Sequence, residues 1–277
     1  MIYKVIENFL DKDFCKLLIE DAEKYSKNDH IKVLNNRLLL PSTSLSFINL
    51  VNNSKYWSEL QDKINSQNFL NNLMKNLDIQ NENFKVTNFF FNKKPGPLLN
   101  RYKILNSKQL STIGSLNLIF YQLFKLFRLF QRVLKFKFTK KKYVELLYDY
   151  SKSPNGYKRE IHRDSDSRTI VFLIYLNDLS LEGEGGNLRF YEYKDKVNAI
   201  PSRPSSEKCN LIKEISPKTG RLITFLNSHD SLHDVNEMKN HNGYRHFLYG
   251  SFTLLAKKNS LIKNSVGKLK TNYNIFE

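Results

Sequence analysis

Ile161-His-Arg-Asp164 opens the stretch that decides the fold. It is followed by the β-rich run Thr169-Ile-Val-Phe-Leu-Ile-Tyr-Leu-Asn177 and a glycine cluster at Gly183, Gly185 and Gly186. A second strand, Asn187 to Tyr193, comes next. Gly220-Arg-Leu-Ile-Thr-Phe-Leu226, His233-Asp-Val235 and Tyr244-Arg-His-Phe-Leu-Tyr-Gly-Ser-Phe252 complete the stretch. Side chains alternate along a strand, so residues two apart point the same way. His162 and Asp164 can therefore reach one ion together, while Arg163 points elsewhere. Two histidines and one carboxylate form the set that holds a non-haem ferrous ion on one face of the metal. The third ligand comes from a distant strand that only folding brings near.

Outward from this stretch, Tyr3 to Ile6 reads as a short strand. Asp11 caps a helix over Lys12 to Lys24, where Phe14, Leu17, Leu18 and Ala22 recur at helical spacing. Residues 28–55 are polar and mixed, with Val33, Leu38 to Leu40 and Ile48 to Val51 as short strands. Ser54 to Leu77 carries apolar residues at the spacing of one or two helices, and Phe84 to Phe91 reads as a buried strand. Lys93-Lys-Pro-Gly-Pro97 then breaks the pattern.

Leu116 to Phe138 is crowded with Leu, Ile and Phe. Lys125, Arg128, Arg132 and Lys135 fall on one helix face. Those charges exclude a transmembrane span. Two readings stand: a basic amphipathic helix lying on an anionic membrane surface, or a helix covering the protein's own sheet or joining two copies. Tyr143 to Tyr150 resumes a strand, Ser153-Pro-Asn-Gly156 is a turn, and Tyr157 to His162 delivers the first ligand.

With 277 residues, 40% hydrophobic and 13% aromatic, the chain can bury a real core. The net charge of +17 favours acidic partners, or is spread over a solvated surface by a lysine-rich composition. Two cysteines, Cys15 and Cys209, lie far apart and in no metal-like spacing, which fits a reducing compartment without a disulfide framework. The N-terminus has no signal-peptide apolar core. A cytoplasmic protein is expected, with peripheral membrane contact through 116–138 as the variant reading.

The ordered set His162-Arg-Asp164, Ile174-Tyr-Leu-Asn177, Gly185-Gly-Asn-Leu188, Gly220-Arg-Leu-Ile-Thr-Phe225, His233-Asp-Val235 and Tyr244-Arg245 resembles the Fe(II)/2-oxoglutarate-dependent dioxygenases, in particular their prolyl-4-hydroxylase-like branch. The resemblance covers roughly residues 143–255. It implies a mainly β fold with helices: a double-stranded β-helix, or jelly-roll, braced by N-terminal helices and carrying an inserted basic amphipathic segment. On that division, 1–92 braces the core, 93–142 is the insert, 143–257 is the catalytic jelly-roll and 258–277 a basic tail.

The resemblance also implies roles. His162, Asp164 and His233 would ligate Fe(II), and Arg245 would hold the distal carboxylate of 2-oxoglutarate, a task suited to a permanently charged fork. Tyr175 would help bind that carboxylate, and Tyr150 would line the same pocket. Tyr249 and Ser251 share the strand face of Arg245 by alternation and should also face the pocket, with Tyr249 a further residue expected to bind the cosubstrate. Relatives often carry a small hydroxyl residue and an aromatic one there, the reverse of the sizes in this chain. The implied reaction consumes dioxygen and 2-oxoglutarate, releases succinate and CO2, and hydroxylates an aliphatic C–H, with ascorbate as reductant. Asp164 is present as a ligand, which disfavours halogenation.

His229, four residues before His233, is a rival ligand, and Asp166 rivals Asp164. His241 is a further histidine near the site, and His246 points away from the face of Arg245. The glycines at 183–186 read as a hairpin turn. For function, a prolyl or other amino-acid side chain, free or peptidyl, leads. A lipid-linked or other small molecule at a membrane surface and a non-catalytic jelly-roll binding protein are the alternatives. Phe247 to Leu255 holds no second arginine of the kind nucleic-acid demethylases carry, so nucleic acid is disfavoured.

Overall fold

The computed structural model describes residues 1–26, 29–32, 36–42, 44–79, 84–86, 142–166, 168–179, 183–195 and 199–254. Its elements are β1 (Tyr3–Ile6), α1 (Lys12–Ser26), β2 (Ile31–Lys32), β3 (Leu38–Pro41), α2 (Leu45–Asn53), α3 (Lys55–Ile64), α4 (Gln67–Asn76) and β4 (Phe84–Val86). After them come β5 (Lys142–Ser153), β6 (Arg159–His162), β7 (Arg168–Tyr175), β8 (Leu188–Tyr193), β9 (Cys209–Ile215), β10 (Leu222–Leu226), β11 (Leu232–Val235) and β12 (Arg245–Leu254). The predicted insert and tail, Val33 and the continuation of β4 to Phe91 lie outside the described residues.

The strands form two sheets. The larger runs β1-β10-β7-β12-β5-β3-β2, with β4 parallel to β5 (Phe84 opposite Lys142), and the smaller runs β6-β11-β8-β9. Apart from β4 on β5, every strand pair in both sheets is antiparallel. No strand pairing joins the two sheets among the described residues, so the jelly-roll-like core is a sandwich with no closed barrel.

Alternation divides the larger sheet's two faces. Ile170, Phe172, Ile174, Tyr150, Leu248 and Phe252 pack against Leu18, Phe47, Trp57 and Leu70 of the helices. Val171, Leu173, Tyr175, Ile223, Phe225 and Phe247 face Leu188, Phe190 and Val235 of the smaller sheet. The helical layer repeats one local device. The hydroxyls of Ser44, Ser54 and Ser66 cap α2, α3 and α4, each accepting from the amide three residues on, at Phe47, Trp57 and Phe69. Those three residues are buried aromatics, so each cap fixes where a large ring enters the core. Trp57 meets Phe47 and Tyr150 edge-on and donates its indole N–H to the Leu18 carbonyl at 2.8 Å.

Two expectations are corrected. Ile48 to Val51 is helical, not a strand: a run of four apolar residues fits either period, and the Ser44 cap decides for the helix. The glycines at 183–186 do not turn a hairpin, because β7 and β8 belong to different sheets. They form a crossing that lies against residues 236–241, with Glu184 bridged to Lys239. Gly185 has φ +78°, and a Cβ there would lie 1.7 Å from the Glu237 carbonyl oxygen.

Candidate functional site

The smaller sheet sets two histidines side by side. His162 on β6 is directly opposite His233 on β11, with ring centroids 4.4 Å apart. Each ring donates its Nδ1–H to the carbonyl two residues before it, His162 to Glu160 at 2.8 Å and His233 to Ser231 at 2.9 Å. Each Nε2 thereby carries the lone pair, the tautomer and orientation that metal-binding histidines take. Asp164 joins them from beyond the end of β6, its Oδ2 lying 3.8 Å from His233 Nε2. One ligand atom from each of the three lies within 4.8 Å of the others. The expectation that Asp164 sits on the same strand as His162 is corrected, since β6 ends at His162. The carboxylate is placed by its partners rather than by the pleat.

Those partners are Arg168 and Tyr249. Arg168 Nη1 donates to Asp164 Oδ1 at 2.7 Å, the Tyr249 hydroxyl donates to Oδ2 at 2.7 Å, and Arg168 also donates to that hydroxyl. Burial works to raise the Asp164 pKa, but His233, Arg168, the Tyr249 hydroxyl and His162 outweigh it and hold the group below the usual carboxylate value. Burial, with His233 and Arg159 nearby, pushes the His162 imidazole down to about 3. A neutral imidazole beside an ionised carboxylate at neutral pH is the state a divalent cation requires of its donors. The residues present fit the ion.

At the other end of the inter-sheet space, Arg245 is 1% exposed. Its Nη1 donates to the Gly186 carbonyl at 2.5 Å, and its guanidinium lies over the rings of Phe247, Tyr157 and Tyr175. Arg245 has no carboxylate partner among the described residues, and Arg245 Nε and the Tyr175 hydroxyl are both buried without a hydrogen-bond partner. A buried, uncompensated guanidinium beside an unsatisfied phenol suits a small diacid's carboxylate. The site thus has a fitting place for 2-oxoglutarate as well as for iron.

Other expected residues fall elsewhere. Tyr150 does not line this pocket. Register pairs Arg245 with Ser153 and Leu248 with Tyr150, so Tyr150 takes the opposite face, packs on Trp57 and shares a 2.7 Å hydrogen bond with His246 Nδ1. Tyr249 does face inward, but four strand residues, roughly 13 Å, separate it from Arg245. Its hydroxyl is engaged by Asp164 and Arg168, at the metal-ligand end of the site. The rivals are excluded by their contacts. His229 accepts from Arg163 at 2.8 Å, Asp166 pairs with Arg163 at 3.2 Å, and His241 donates to the Glu184 carbonyl.

Three arginines escaped the sequence reading. Arg168 is four residues past Asp164. Arg37 arrives from just before β3, pairing with Asp149 at 2.6 Å and donating to Ser151 at 3.0 Å, with its guanidinium near the rings of Phe247 and Tyr249. Arg159 donates through Nε to His162 Nε2 at 3.4 Å. Simple alternation from His162 would turn Arg159 away. The register shift between β6 and β11 turns it in.

Residues 147–252 match the model of the 2OG-Fe(II) oxygenase superfamily. No curated protein matches the chain. Among solved structures it is similar to a Pseudomonas putida prolyl-4-hydroxylase, at 13% identity over 91% of each chain with a TM-score of 0.48. It is also similar to a viral collagen prolyl hydroxylase from Paramecium Bursaria Chlorella virus-1, at 14% identity over 91% of this chain and 96% of that one with a TM-score of 0.46. Prolyl 4-hydroxylases from Phytophthora capsici give 15% identity over 91% of this chain and 58% of the other, with a TM-score of 0.48. His162, Asp164, His233 and Arg245 all lie inside the segment that matches the 2OG-Fe(II) oxygenase superfamily model, and the first three form the metal-ligand cluster within it.

Proposed function

We propose that the protein is an Fe(II)- and 2-oxoglutarate-dependent hydroxylase of an aliphatic C–H, with a prolyl or other amino-acid side chain, free or peptidyl, as substrate. The observation that carries this reading is the convergence of His162, Asp164 and His233 within 4.8 Å, with both histidines in the tautomer a metal needs. Bound there, iron would supply activation of dioxygen coupled to decarboxylation of 2-oxoglutarate to succinate, with ascorbate as the reductant that keeps it ferrous.

The chain's own part is positional. His162 and His233 are oriented through their Nδ1–H bonds to backbone, and Asp164 is held by Arg168 and Tyr249. Arg245 and Tyr175 would take the distal carboxylate of 2-oxoglutarate, which fixes the cosubstrate's direction. Val171, Leu173, Phe225 and Phe247 belong to the apolar cluster between the sheets, and Phe225 sets its ring 4.9 Å from that of His233, which would keep water from the reacting centre.

The test is anaerobic titration with Fe(II) and 2-oxoglutarate, followed by succinate release under air across peptides, amino acids, nucleic acids and lipids. Substrate-stimulated succinate with a proline-containing peptide or an amino acid is the expected result. Failure to take up Fe(II) refutes the chemistry, and stimulation by lipids alone refutes the substrate class. Among the described residues no helix is long and apolar enough to cross a membrane.

A further inference from the structure

Four guanidinium groups converge on the space between the sheets: Arg37, Arg159, Arg168 and Arg245. Two are neutralised in place, Arg37 by Asp149 and Arg168 by Asp164. Arg245 has no anion, and the proposed function gives it the distal carboxylate of 2-oxoglutarate. Arg159 is left over. It is directly opposite Val235, whose side chain packs in the inter-sheet core, and residues so opposed share one face. It is partly buried, has no carboxylate partner among the described residues, and its Nε–H is aimed at His162 Nε2 from 3.4 Å.

That nitrogen is the one lone pair His162 can offer a metal, because Nδ1–H is committed to Glu160. A donor N–H and a cation cannot share it. Arg159 therefore has to swing off His162 when the metal is bound, and it is then a mobile positive charge at the margin of the metal centre. A guanidinium in that position, next to a divalent cation, needs an anion to offset the repulsion.

We propose that Arg159 competes with the metal for His162 and, once displaced, is the receptor for a second carboxylate group bound at the edge of the metal centre, distinct from the carboxylate held by Arg245. The anion is either the metal-end carboxylate of the cosubstrate or a carboxylate on the substrate. In the second case the enzyme prefers acidic substrates. The inference rests on His162, Asp164 and His233 being metal ligands, and that reading fails separately if the wild-type chain takes up no Mn(II).

The test uses the full chain, calorimetry and Mn(II) as a metal that binds without turnover. Arg159→Gln is expected to bind Mn(II) roughly tenfold to a hundredfold more tightly than wild type, because the charge-assisted hydrogen bond no longer has to be surrendered. A residue of merely structural value would give the opposite sign or no change. The Mn(II)-loaded proteins are then titrated with 2-oxoglutarate, and with acetate in the presence of saturating 2-oxoglutarate. A loss of about tenfold or more in 2-oxoglutarate affinity identifies the cosubstrate's carboxylate as the anion. An unchanged 2-oxoglutarate affinity with acetate binding lost identifies a substrate-borne one. Arg159→Lys, which keeps the charge, retains part of the anion affinity if recognition is electrostatic, and it serves as the second variant should the glutamine variant misfold. The proposal is overturned if Arg159→Gln does not tighten Mn(II), or if neither anion responds.

Discussion

Replacing Arg245 with methionine should make the ligand-free protein more stable while removing its hold on 2-oxoglutarate. The guanidinium is 1% exposed and has no carboxylate partner among the described residues, and burying an uncompensated charge costs several kcal/mol. Part of that is already offset. The bond to the Gly186 carbonyl contributes about 1 kcal/mol. The rings of Phe247, Tyr157 and Tyr175, whose centroids lie 4.5–5.7 Å away, add roughly 0.5–2 kcal/mol together. Methionine keeps the ring contacts through its sulfur. The balance favours Arg245→Met by about 1–3 kcal/mol, or a rise of roughly 2–6 °C in Tm at about 2 °C per kcal/mol for a chain of this size. Two charge-assisted hydrogen bonds to a carboxylate are worth about 3–6 kcal/mol, so 2-oxoglutarate affinity should fall by roughly a hundredfold or more. Differential scanning calorimetry and titration of the Mn(II)-loaded protein read the two effects independently. A variant that melts lower and still binds 2-oxoglutarate normally would refute the assignment of Arg245 as an anion receptor waiting for its partner.

Removing the hydroxyl in Tyr249→Phe takes one donor from Asp164 and an acceptor from Arg168, and Mn(II) affinity should drop about tenfold to a hundredfold with little change in far-UV circular dichroism. Burial holds the His246 imidazole down at about 4. The unfolded chain therefore binds a proton that the folded one refuses between pH 6.5 and about 4. His246 leaves stability intact above pH 6.5 and costs up to about 3 kcal/mol as pH falls to 4. In urea titrations across that window, His246→Asn should flatten the loss. Gly185→Ala should destabilise by about 3 kcal/mol or more, since φ is +78° and the new methyl would meet the Glu237 carbonyl. Denaturant midpoints check it.

The two histidines were legible because each sits on a strand with its own local signature. Arg245 was legible because it begins the last long strand. What escaped reading depends on pairing across long separations. Tyr150 was assigned to the wrong face because its orientation is set by its register against Leu248, ninety-eight positions away, and nothing within its own strand fixes that. Arg37 meets Asp149 across a separation of 112 residues, and no spacing rule reaches so far. Arg159 failed for the opposite reason. It lies only three residues from His162, where simple alternation would turn it away, and a register shift against β11 brings it in. The Ser44 cap was available to the reading and would have settled Ile48 to Val51 as a helix.

β4 and β5 are consecutive described strands, yet they lie side by side and run the same way. Parallel neighbours cannot be closed by a tight turn and need a crossover of roughly a dozen residues, whereas the chain places all of 87–141 between them. The two ends of that segment are thus pinned side by side at the β4-β5 pair of the larger sheet, whereas the histidines stand on the β6-β11 pair of the smaller one. A shortened protein with about a dozen polar residues in place of 87–141 keeps the geometric requirement of the crossover. Metal and diacid uptake can then be measured apart from whatever the excised residues contribute, making this boundary a natural seam for dissecting the molecule.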